Sequence, residues 1–250
     1  MRWARSSLAA MLLLGGCAQL PGLEPMVATP LPIQTYGPAR GSDVRTLVAI
    51  VDGGDGLDAQ RAAFAQSAAA TLSDSAAVTI LPPTDGSLPR EALSIERIRA
   101  IGATVRVLRQ RYPAAKVVLL GNATGAALAA DVAGTHRALV DGLVLVSCPC
   151  TLPEWRKFNG STASTPDAPD LDPLLTAGGI EPDMRAAILV GSADERTPAR
   201  FSRAYAEALA LRGIATDFRV LPGQSHDILG APETLDAVRR IVAALQGAPA

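Results

Sequence analysis

The run Val117-Val118-Leu119-Leu120-Gly121-Asn122-Ala123-Thr124-Gly125 passes from consecutive apolar residues to two glycines that bracket Asn122, Ala123 and Thr124. An alanine-rich stretch to about Ala133 follows. An unbroken apolar run is what a strand covered on both faces needs, and alanine is the strongest helix former. The glycines supply backbone freedom at one end of the turn and close helix-to-strand approach at the other. The expectation is strand, sharp turn and helix, with Ala123 at the apex.

The same alternation extends in both directions. Thr46 to Val51 reads as a strand closed by Asp52-Gly53-Gly54-Asp55-Gly56, and Phe64, Ala65, Ala68 and Leu72 then recur at helical spacing. Ala77 to Leu81 gives a second strand, and Glu91 to Arg111 a helix with Leu93, Ile98, Ile101, Val105 and Leu108 on one stripe, so its arginines are expected in water. After Val117 to Leu120, strands are expected at Leu139 to Ser147, Ala186 to Val190 and Thr216 to Leu221. Pro153 to Pro182 is a polar excursion, a helix starts near Thr197-Pro198 and stops before Gly213, and Pro232 to Leu245 closes the chain. This order predicts an α/β fold: an open, mostly parallel, doubly wound sheet.

Two downstream motifs sit where such a sheet carries working groups, past the carboxyl ends of its strands. These are Gly191-Ser192-Ala193-Asp194 and Gly223-Gln224-Ser225-His226-Asp227. With Gly121-x-Ala123-x-Gly125, they make the chain resemble the α/β-hydrolase family, reduced at the N-terminal strands, over a domain spanning 46–250. That family places a serine in G-x-S-x-G on a strained strand-to-helix turn, followed along the chain by an acid and a histidine. The resemblance assigns Ala123 to the nucleophile position, which is thereby inactive, Asp194 to the acid and His226 to the base.

It further implies an oxyanion hole built from the amide of Thr124 and one near Gly54. Asp52 and Asp55 flank the second donor, where they either oppose the hole electrostatically or turn away to solvent or to a helix cap. Ser225 stands where relatives often have glycine. It is a poor substitute nucleophile, since adjacent side chains point apart, and Thr124 could attack only if the turn were remade. Trp155, in the excursion where the family inserts specificity elements, either lines the substrate site or pins a loop to the core.

The N-terminus reads as a bacterial lipoprotein leader: Arg2 and Arg5, an apolar stretch from Leu8 to Leu14, then Leu14-Gly15-Gly16-Cys17. Residues 1–16 are the expected signal peptide, Cys17 the lipidated residue, and 17–45 a proline-rich tether with room for one short edge strand. The resemblance implies a membrane anchor through lipid, and Ala18 after the cysteine suggests the outer membrane facing the periplasm. Cys148 and Cys150, separated by Pro149, read as packed thiols more readily than as a bridge across one residue.

Over 250 residues the net charge is −1, with 48% hydrophobic and 19% charged residues, so nothing attracts nucleic acid. His136 and His226 are the chain's two histidines, and there is no Cys-x-x-Cys pair, so no metal and no cofactor is expected. The resulting expectation is a membrane-anchored hydrolase relative with a degenerate Ser/Asp/His triad, non-catalytic or very weak, that keeps a pocket for a small acyl or peptide ligand. The alternatives are an active ester, thioester or peptide hydrolase and a structural envelope lipoprotein.

Overall fold

A computed structural model of the chain describes residues 28–37, 43–53, 58–82, 93–160 and 171–247. The expected leader, Cys17 and most of the tether lie outside the described residues, as do Gly54 and Asp55. The strands are β1 (Ile33–Tyr36), β2 (Thr46–Val51), β3 (Ser75–Ile80), β4 (Lys116–Asn122), β5 (Gly142–Val146), β6 (Arg185–Gly191) and β7 (Ala215–Leu221). The helices are α1 (Asp58–Thr71), α2 (Ile95–Arg111), α3 (Thr124–Thr135), α4 (Leu152–Phe158), α5 (Pro173–Thr176), α6 (Ala199–Leu211) and α7 (Pro232–Leu245).

The strands form one seven-stranded sheet in the order β1-β3-β2-β4-β5-β6-β7. β1, drawn from the proline-rich stretch, pairs antiparallel with β3, and every other pair is parallel. This is the open, mostly parallel α/β sheet that the alternation predicts.

Successive side chains of a strand point to opposite faces, and here both faces are covered. Leu47, Ala49, Val117, Leu119, Leu143 and Leu145 join a core with α2, α3 and α6 residues such as Ile101, Leu128 and Tyr205. Val48, Ile50, Val118, Leu120, Val144 and Val146 join a second core with Phe64 and Ala65 of α1 and Val238 and Val242 of α7. The unbroken apolar runs in the sequence are the direct consequence of this double burial. Gly213, with φ +76°, ends the segment after α6, as its position past the helix suggested.

Two expectations need correction. Arg97 of α2 does not face water: it is 1% exposed, and its Nη2 donates to the backbone carbonyl of Asp52 at 2.5 Å. Its position near the amino end of α2 brings it over the end of β2, where the Asp52 carbonyl lies. Cys148 and Cys150 are not separate thiols but a disulfide. Their Cα atoms are 5.1 Å apart, inside the span a disulfide accepts, because the chain folds back across Pro149. The excursion after β5 also holds more order than its polar composition implied: α4, α5 and a 3-10 turn at Ala177–Gly179.

Candidate functional site

The turn after β4 is the first part of the site. Ala123 has φ 50° and ψ −122°, a region that costs a residue with a Cβ about 1–3 kcal/mol. The surroundings enforce it. A Cβ on Gly121 would lie 2.2 Å from the Gly125 carbonyl oxygen, and one on Gly125 would lie 2.5 Å from that of Val51. Only glycine lets α3 come this close to β4 and β2. The Ala123 amide donates to the Val146 carbonyl at 2.9 Å, tying the apex to the end of β5.

Asp194 follows β6 and His226 follows β7, and the two are in contact. Nδ1 of His226 lies 3.0 and 2.9 Å from Oδ1 and Oδ2 of Asp194. The amides of Arg196 and Thr197 donate to Oδ1 at 3.0 and 2.7 Å. Burial pushes the Asp194 carboxyl up. The hydrogen bonds from the His226 ring and the Thr197 amide outweigh it, so the group ends below the ordinary carboxylate range. A carboxylate at Nδ1 keeps the proton on that nitrogen and leaves Nε2 as the acceptor. The ring is 8% exposed, and Nε2 has no hydrogen-bond partner among the described residues. The loop carrying His226 seats on Gly191, where a Cβ would meet the carbonyl oxygens of Gln224 and Ser225 at 2.2 Å.

Ser147 joins these parts, a role the sequence did not signal. It is fully buried, has φ 49°, and its Oγ donates to the His226 carbonyl at 2.9 Å. Ala123 bonds to Val146 and His226 to Ser147, so consecutive residues at the end of β5 connect the turn to the histidine loop. The three positions that the resemblance assigns, Ala123, Asp194 and His226, therefore share the carboxyl edge of the sheet.

Thr124 begins α3, so its amide is a first-turn amide with no partner within the helix. Its hydroxyl donates to the Gly53 carbonyl at 3.0 Å, which commits it to the turn after β2. Gly54, the other expected amide donor, falls outside the described residues. Asp52 does not turn to solvent. It is 1% exposed and pairs with Arg61 of α1, Oδ2 to Nη2 at 2.9 Å, so its charge is compensated inside the fold. Sequence reasoning missed Arg61, whose place on the Phe64 and Ala65 side of α1 was the available signal.

Trp155 is half-buried, and its indole N–H donates to the Arg196 carbonyl at 3.0 Å. Asn159 Nδ2 reaches the same carbonyl at 3.3 Å. Of the two readings of Trp155, this bond favours the pin: α4 braces the loop that carries Asp194. Asn122, beside the apex, is 1% exposed, and neither atom of its amide has a partner among the described residues. Among those residues no group of three or more His, Cys, Asp or Glu side chains is placed to hold a metal ion.

Chemically, the arrangement offers an imidazole that can take a proton at Nε2 and a carboxylate that stabilises the resulting cation. At the apex of the turn after β4, residue 123 carries a methyl group.

No family model and no curated protein matches the sequence. Solved structures do match the fold. The chain is similar to an acetyl ester-xyloside bifunctional hydrolase from Caldicellulosiruptor lactoaceticus at 18% identity and TM-score 0.60, over 87% of this chain and 89% of that one. It is similar to esterase PE8 at 17% identity and TM-score 0.59, over 89% of this chain and all of the other. A lipase/esterase from Lactobacillus plantarum gives 18% identity and TM-score 0.62, over 86% and 92% of the two chains. The fold is α/β-hydrolase-like.

Proposed function

We propose that this chain is a lipid-anchored envelope protein whose hydrolase-like body binds a small acyl or peptide ligand and turns it over very weakly or not at all. The observation that carries the reading is the side chain at the apex of the turn after β4. The strained backbone that would present a nucleophile is in place and the Asp194–His226 pair is intact, but residue 123 carries no oxygen. In a working triad, removing the attacking hydroxyl costs on the order of 10⁶ in kcat, roughly 8 kcal/mol of barrier. What survives such a loss is the ability to bind.

Neither Thr124 nor Ser225 replaces it. The hydroxyl of Thr124 is held by Gly53, and Ser225 lies next to the base itself, its carbonyl packed over Gly191. The solved structures of similar fold are described as esterases and hydrolases, which supports acyl compounds as the ligand class. Anchoring at Cys17 is supported by the leader pattern in the sequence, and an outer-membrane location facing the periplasm by Ala18 after the cysteine.

The test combines reactivity and binding on the purified full chain. A fluorophosphonate probe leaves it unlabelled, short-chain p-nitrophenyl esters are not turned over above background, and short acyl or peptide ligands raise the melting temperature, as a native-state ligand must. Turnover abolished by His226→Ala would overturn the non-catalytic reading. An absence of any thermal shift across both ligand classes would instead favour a scaffold role.

A further inference from the structure

The bridge between Cys148 and Cys150 lies at the end of β5, in the middle of the site's supports. One residue before it, Ser147 holds a left-handed backbone, φ 49°, and donates its hydroxyl to the His226 carbonyl at 2.9 Å. The Cys148 carbonyl accepts from Ser202 Oγ of α6 at 2.9 Å, and the Cys150 carbonyl accepts from the Leu174 amide of α5 at 3.1 Å. One residue after the bridge, Thr151 precedes α4, whose Trp155, with Asn159 just past the helix end, holds the Arg196 carbonyl in the loop that carries Asp194. The short ring thus has the histidine loop on one side and the acid loop on the other.

A serine at positive φ is held there only when its neighbours over-determine it. On its N-terminal side, Ser147 is fixed by the ladder, its amide donating to Leu189 at 2.8 Å. On its C-terminal side, the fixing element is the covalent ring. Both half-cystines are fully buried, so they are out of reach of the exchange chemistry of an exposed, reactive pair.

We propose that the Cys148–Cys150 disulfide is the positioning element of the site: it holds Ser147 under the histidine loop and α4 against the acid loop, and so fixes the His226 imidazole on Asp194. This deepens the functional reading of the same site. It rests on that reading only for its consequence in ligand binding, not for the geometry itself. With the bridge gone, residues 148–150 regain backbone freedom, Ser147 relaxes towards negative φ, and its hydroxyl leaves the His226 carbonyl. The Nδ1–H proton then exchanges with solvent more freely, although both partners are still present.

The test reads that proton directly by NMR in the full chain, with no ligand needed. The oxidised wild type gives a far-downfield Nδ1–H resonance that disappears in His226→Gln. In a Cys148→Ala/Cys150→Ala variant that keeps its circular dichroism, the resonance exchanges about tenfold faster well below the melting temperature, equivalent to roughly 1.4 kcal/mol of lost protection. Ser147→Ala gives a loss in the same direction with the bridge intact. Where the double variant fails to fold, protein unfolded and refolded under a phosphine, its two free thiols verified by alkylation in denaturant, provides the same comparison. A folded, bridge-free protein with an unchanged resonance and exchange rate would overturn the proposal, since a merely stabilising disulfide lowers the melting temperature and leaves this proton alone. Absence of the resonance from the oxidised wild type would overturn the pairing itself, and the proposal with it. A site that holds its proton as described yet binds no acyl or peptide ligand would sink the functional reading and leave the positioning role standing.

Discussion

At Ala123, strain and chemistry have come apart. The backbone keeps φ 50°, and the side chain has no use for it. Ala to Gly in an ordinary helix costs about 0.5–1 kcal/mol; here glycine also relieves the strained conformation. Ala123→Gly is therefore expected to leave the melting temperature unchanged or raised, whereas Ala126→Gly inside α3 lowers it, as paired thermal melts would show. Asp194 makes the second prediction at this scale. Its carboxyl lies below the ordinary range in the folded protein, so its stabilisation is present above the unfolded-state value near 3.8 and is lost as pH falls through the lower folded value. Asp194→Asn should thus destabilise the protein by about 1.5–3 kcal/mol near neutral pH, with the difference from wild type shrinking in acid, as denaturant titrations across pH would report.

At the scale of elements, the turn after β2 and the turn after β4 are clamped together. Gly53 packs on Thr124 and Gly125, and a Cβ on Gly53 would meet Thr124 Oγ1 at 2.3 Å. From α1, Arg61 holds the Asp52 carboxylate, and from α2, Arg97 holds its carbonyl. Removing one member of a buried ion pair costs about 3–5 kcal/mol. Arg61→Ala is expected to lose that much stability, and Arg61→Leu combined with Asp52→Leu much less, as a double-mutant cycle in denaturant would measure. Much of this level was legible in the sequence. The glycines around Ala123 and the apolar strands announced themselves, because a doubly covered strand and a tight turn admit few residue types. Arg99, Arg106 and Arg111 face water as the stripe predicts, but Arg97 does not, because an amphipathic stripe describes the middle of a helix, whereas Arg97 sits in the first turn of α2 over the end of β2. The bridge was misread because the sequence gives the spacing of the cysteines and not the fold-back at Pro149. Nothing local marks Ser147, since its partner lies on a loop 79 residues away.

For the molecule as a whole, the carboxyl edge of a parallel sheet collects loops from distant parts of the chain, and the positions 123, 194 and 226 that the resemblance assigns all fall on loops at that edge. The proposed membrane anchor rests on a different kind of signal, a short address of the type read by cellular machinery. If Cys17 is acylated, each buried CH₂ contributes about 0.8 kcal/mol, and two or more chains hold the body to the bilayer. Cell fractionation with radiolabelled palmitate should place label and protein in the membrane fraction, and Cys17→Ser should remove both.

The central claim is that only an oxygen is missing at residue 123. It is met most directly by fluorophosphonate labelling and p-nitrophenyl ester turnover of Ala123→Ser, run beside wild type and Ala123→Ser/His226→Ala. The account predicts that Ala123→Ser alone becomes labelled and gains turnover. A correctly folded Ala123→Ser that stays inert, or a wild type labelled as well as the variant, would contradict it.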